Sequence, residues 1–81
     1  MSAADKLLER FKGVPADITW DELKRVLAQF GYAEQKGKGS RWKFKAEGRP
    51  TLILHEPHPG KIVKRYAVRY VKETLEKEGL L

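Results

Sequence analysis

The hydrophobic period of this chain changes at Gly31, from helical to alternating, and that change sets the order of its elements. Before it, Leu23, Val26, Leu27 and Phe30 recur at i, i+3, i+4 and i+7, the buried stripe of one helix. Beyond the next turn, Arg41 to Lys45 alternates strictly, with Trp42 and Phe44 on one face and Arg41, Lys43 and Lys45 on the other. The helix start is written in Thr19-Trp20-Asp21-Glu22. The Thr19 hydroxyl can accept from the Glu22 amide while the Glu22 carboxylate reaches back, and Ile18 and Leu23 stand at staple positions. Gly31 supplies the C′ residue, so the spacing predicts a helix over 20–30.

The remaining elements follow from the same reasoning. Tyr32 to Lys36 reads as a first strand, Gly37-Lys38-Gly39-Ser40 as a turn, and Thr51 to His55 as a third strand with Leu52 and Leu54 matching the face of Trp42 and Phe44. Two prolines and a glycine make His55 to Gly60 a loop. A last helix is expected over 64–78, burying Val68, Val71 and Leu75 and stopped by Gly79; Glu73, Glu76 and Glu78 oppose its dipole, so its end is expected to fray. A short helix over Asp5 to Lys12 carries Leu7, Leu8 and Phe11 on one side, either for the chain's own core or for self-association. The expected fold class is α+β: a two-layer sandwich of order α-β-β-β-α with a three-stranded antiparallel sheet. Residues 1–17 are expected to form a helical extension and residues 18–81 the main domain.

Charge is distributed unevenly. Residues 36–72 hold eleven cations and two acids, whereas the flanking segments are each slightly acidic, within a net charge of +6. A cationic block of this kind favours a polyanion, with nucleic acid ahead of a membrane surface. With no cysteine, no apolar run long enough to span a bilayer and no secretory signal in MSAADKLLERFKG, a reduced, cytoplasmic setting is expected.

Within the block, Arg41, Lys43 and Lys45 share strand parity, and Lys36, Lys38 and Ser40 flank the turn whose glycines let backbone amides approach phosphate. Lys61, Lys64, Arg65 and Arg69 cluster at the start of the last helix. The sequence favours Trp42 as a core residue, and Tyr66 and Tyr70 as the candidates to stack on a base. His55 and His58 form an H-x-x-H pair with only Glu56 nearby, too few ligands for a metal site, so neither metal nor cofactor is expected. His55 reads as a loop histidine bonded to backbone, and acid–base work is the more plausible role for an imidazole here. Neither serine, Ser2 or Ser40, has a triad partner beside it, and no P-loop, GxSxG or dinucleotide fingerprint is present.

Taken in order, TWDELKRVLAQFGY, the strand Gly39-Ser40-Arg41-Trp42-Lys43-Phe44, His58-Pro59-Gly60-Lys61 and the terminal EKEGLL resemble the HicA toxins, ribonuclease partners of HicB antitoxins. The resemblance covers residues 18–80. It implies a double-stranded-RNA-binding-domain-like fold, cleavage of mRNA, and an antitoxin that covers the active site. The family pattern G-S-H-x-x-F carries its central histidine where this chain has Arg41, while His58-Pro59-Gly60-Lys61 matches the second motif. Arginine stays charged and cannot serve as a base, but it can stabilise a phosphorane. Three readings stay open at this level: His58 supplies the base while Arg41 clamps phosphate; the protein binds RNA without cutting; or it is an inactivated toxin that binds only a HicB-like antitoxin.

Overall fold

The structure, a computed structural model, describes residues 2–81. Its elements run α1 (Ala3–Lys12), α2 (Trp20–Gln29), β1 (Ala33–Lys36), β2 (Arg41–Lys45), β3 (Leu52–His55) and α3 (Arg65–Lys77). The three strands form one antiparallel sheet in the order β1-β2-β3. This is the expected α+β architecture, with α1 placed ahead of the α-β-β-β-α order. No helix among the described residues is long and apolar enough to cross a membrane.

Local chemistry explains where the helices begin and end. The α2 capping box forms as the sequence dictates, with Glu22 N–H donating to Thr19 Oγ1 at 3.2 Å and Thr19 N–H to the Glu22 carboxylate at 3.0 Å. A second capping box, Ser2 with Asp5, starts α1 at Ala3, two residues earlier than expected. At the other end of α2, Gly31 at φ +83° lets the Tyr32 amide reach the Leu27 carbonyl and the Gly31 amide the Ala28 carbonyl. Arg49, in the β2–β3 turn, adds a hydrogen bond to the Phe30 carbonyl at 2.5 Å.

The end of α3, expected to fray, is closed by a glycine turn. Gly79 at φ +73° turns the chain so that Leu80 N–H donates to Leu75 O at 2.9 Å and Gly79 N–H to Glu76 O at 3.0 Å. These bonds satisfy the terminal carbonyls, and backbone closure outweighs the unfavourable placement of the surface glutamates.

The core is one cluster. Trp20, Leu23, Val26 and Leu27 from α2 and Val68, Val71 and Leu75 from α3 meet Phe44, Leu52 and Leu54 from the sheet. The loop residues Ile18 and Val63 join it, and the segments carrying them pair through an antiparallel bridge, Thr19 with Ile62. Helix α1 lies against α2 and α3. Its Phe11 is fully buried in the common core, with Leu7 and Leu8 packed at the margin. The Phe11 ring therefore fills the chain's own interior.

Arg10 fastens α1 to the start of α2. Its guanidinium meets both Glu22 oxygens, at 2.6 and 3.1 Å, and also donates to the Asp17 carbonyl. That grip, helped by the Thr19 amide, holds the Glu22 carboxyl near 2 rather than 4.5. A lowered carboxylate pKa stabilises the fold fully above its unfolded value and loses that contribution as pH falls through the folded value. The urea midpoint should therefore drop as pH falls from about 4.5 towards 2. Because Arg10 is partly exposed, the component is about 1–2 kcal/mol rather than the full linkage value. Glu22→Gln should lower stability at neutral pH and remove this part of the acid dependence. An unchanged acid transition in that variant would mean the pair does not form in solution.

Candidate functional site

Register decides which side chains share a face, because directly opposed residues of an antiparallel pair point to the same side. Trp42 faces Leu54 and Phe44 faces Leu52, so this side looks towards the helices. Arg41 lies opposite His55, Lys43 opposite Ile53 and Gln35, and Lys45 opposite Ala33. The outer face of the sheet thus carries Arg41, Lys43, Lys45 and His55 around an exposed Ile53, with no acid among its strand residues.

Four sequence expectations change on contact with this geometry. His55 ends β3, as the strand expected over Thr51 to His55 requires, and its alternative reading as a loop histidine gives way. It is exposed and directly across from Arg41, a placement set by the pairing of β2 with β3 and not readable from local sequence. Lys36 is opposite Trp42, so it belongs to the helix-side face and stands apart from Arg41, Lys43 and Lys45. Its ammonium lies 5.9 Å from the Trp42 ring, and that of Lys24 lies 5.2 Å away.

Trp42 itself is half-buried rather than a full core residue. Its ring meets Trp20 edge-on, and its Nε1 donates to Glu56 Oε1 at 3.0 Å. Gly37 has no amide to offer an anion, because its N–H closes the hairpin onto Arg41 O at 2.8 Å. A Cβ at Gly37 would approach that same carbonyl to 3.1 Å, so the glycine serves the turn. Gly39, at φ +61°, provides the left-handed step between Lys38 and Ser40.

The loop after β3 brings His58 to this end of the sheet. Glu56 N–H donates to Ser40 O at 2.7 Å, which ties the loop to the β1–β2 turn. Gly39, Ser40 and His58 line one shallow cleft beside it. A second cleft lies between the loop and the start of α3, lined by His55, His58, Pro59, Ile62, Lys64 and Tyr66 among others. Lys61 is fixed there through its carbonyl, which accepts from Trp20 N–H at 2.8 Å. Helix α3 opens at Lys64 without a side-chain cap and with no acid in its first turn, unlike α1 and α2.

Of the cations at this end, Arg65 is partly committed, since its Nε donates to the Val14 carbonyl at 3.1 Å. Lys61, Lys64 and Arg69 are exposed, as is Lys38 on the hairpin turn. A larger groove between α1 and α2 contains none of the candidate RNA-binding or catalytic residues read from the sequence.

The family comparison agrees with this organisation. A family model described as "HicA toxin of bacterial toxin-antitoxin" matches residues 20–78. The chain belongs to the HicA toxin family. No curated protein and no solved structure matches it. The HicA match spans α2, the whole sheet and α3, and therefore both clefts beside the loop; α1 lies outside it. Membership in HicA implies a toxin–antitoxin system and hence an antitoxin partner.

Proposed function

We propose that this HicA family protein is an RNA-binding toxin that cleaves mRNA, using the outer sheet face to hold the strand and the two histidines for proton transfer. The observation that carries the reading is the pairing of Arg41 with His55 on a face that also bears Lys43 and Lys45 and lacks acids. Opposed Cβ atoms on such a pair lie about 4.5–5.5 Å apart, so a fixed cation and an imidazole can meet one phosphodiester.

In this reading His58, beside Ser40, removes the ribose 2′-hydroxyl proton, and the 2′-oxygen forms a bond to phosphorus. The bond to the 5′-oxygen breaks, and His55 returns a proton to that leaving oxygen. The products are a 2′,3′-cyclic phosphate and a 5′-hydroxyl. Arg41 stabilises the charge that builds on the phosphorane. Lys43 and Lys45 hold the strand on one side, while Lys38, Lys61, Lys64, Arg65 and Arg69 supply the field at the turn and the start of α3.

The salt dependence of RNA binding tests the interface without requiring turnover. Arg41→Ala should weaken binding to single-stranded RNA. It should also make the slope of log K against log salt shallower by roughly 0.7, the share of one phosphate neutralised by one cation. An unchanged slope would remove Arg41 from the interface.

A second reading has its own support. Ile53, 42% exposed among the cations, suits an acidic protein partner with an apolar contact better than it suits a phosphate chain. The same face would then seat a HicB-like antitoxin, either blocking the RNA site or, in a non-catalytic module, as its main ligand. Ile53→Ser, which removes the apolar contact without adding charge, should weaken antitoxin binding far more than RNA binding.

A further inference from the structure

We infer that the cleft between the 55–59 loop and α3 is a nucleobase subsite in which Tyr66 provides the stacking surface. The inference rests on the RNA reading above and deepens it, since it concerns a base rather than the phosphate chain. Tyr66 lies off the buried stripe of α3 and is 67% exposed, and Ile62, on the same cleft, is 49% exposed. Both are fixed from behind: Val63 and Val68 are buried, and Val63 N–H donates to Ile18 O at 2.8 Å. The backbone thus presents an aromatic ring, an aliphatic side chain and the Pro57 and Pro59 rings around one opening.

The size of the cleft favours a small planar occupant. Its volume is about 270 Å³, below the roughly 300–1,000 Å³ of pockets that enclose drug-sized ligands. The charge around it favours a ligand carried on a polyanion. Lys64 lines the cleft, exposed Lys61 and Arg65 flank it, and the carboxylate on its wall, Glu56, is engaged by Trp42 Nε1. His58 lines both this cleft and the one beside Ser40, so a base seated on Tyr66 belongs to a nucleotide adjoining the phosphate held at Ser40 and Arg41. Stacking accepts any base, and the backbone and imidazole groups of the loop then offer hydrogen bonds to its edge.

The test uses the full chain and a 2′-O-methylated single-stranded RNA of about ten nucleotides, matched to the reach of a small single-stranded site. This probe lacks the attacking hydroxyl, so binding is read without cleavage. An abasic ribose-phosphate oligomer of equal length serves as a second probe. Tyr66→Ala should weaken binding of the RNA roughly 5- to 100-fold, the range expected when a base loses its one aromatic stacking partner. Tyr66→Phe should bind like the native protein, because stacking does not require the hydroxyl. The salt slope and the affinity for the abasic oligomer should not change in either variant.

Native-like RNA binding by Tyr66→Ala, with the native protein binding RNA, overturns the subsite and leaves the RNA reading standing. Equal weakening towards both oligomers also overturns it, since that would mark a phosphate contact. A loss confined to antitoxin binding reassigns the cleft to the protein partner. Failure of the native protein to bind either oligomer overturns both readings together.

Discussion

Phe11→Ala should lower the unfolding free energy by about 3–5 kcal/mol, the usual cost of emptying a buried aromatic site. The size of that effect follows from where α1 sits. Phe11 is fully buried in the common core, on a helix packed against α2 and α3, although α1 lies outside the residues that match the HicA family. A chain of 81 residues has about 4–12 kcal/mol of stability in total at the typical density per residue. The substitution would therefore remove a large share of that stability. Urea unfolding followed by tryptophan fluorescence should show a lower midpoint with little change in slope. Leu7→Ala, at the edge of the same helix, should cost much less. A loss below about 1 kcal/mol for Phe11→Ala would mean that α1 does not dock in solution.

The largest functional effect is expected at His58. If it is the base, His58→Ala should slow RNA cleavage about 10²–10⁴-fold, the usual contribution of general acid–base catalysis, and should weaken RNA binding far less. His55→Ala should cause a loss of similar order. The double variant should be scarcely worse than either single one, because residues acting in one step are not additive. The pH–rate profile gives the assignment: each single variant should lose one limb of the native bell. Cleavage by His58→Ala at the native rate would remove it from the mechanism. If the native protein binds RNA with the expected Arg41 dependence yet does not cut it, the outer face is a binding surface alone.

These two predictions draw on different kinds of information. The Arg41–Lys45 alternation, the Thr19–Glu22 capping box and the apolar stripes of α2 and α3 are local patterns, legible because each depends on a few neighbouring residues. They place the helices and strands within a residue or two and assign Arg41, Lys43 and Lys45 to the side away from the helices. The Ser2 capping box is equally local, since its spacing to Asp5 is visible in the chain, but it lies ahead of the apolar stripe, and the stripe alone does not reveal it.

The pairing of His55 with Arg41, the placement of Lys36 beside Trp42 and the docking of Phe11 have a different origin. Each depends on turn geometry and long-range packing, which bring together residues far apart in sequence. Alternation tells which side of its own strand a residue faces. It does not tell which residue stands across from it, because that register is set by the intervening turns and by the core they must close over. The sequence alone therefore determined the α+β element order and a cationic strand face. The tertiary structure decided which imidazole stands across from Arg41 and which cations leave that face, because strand register and helix docking are settled by burying one shared core.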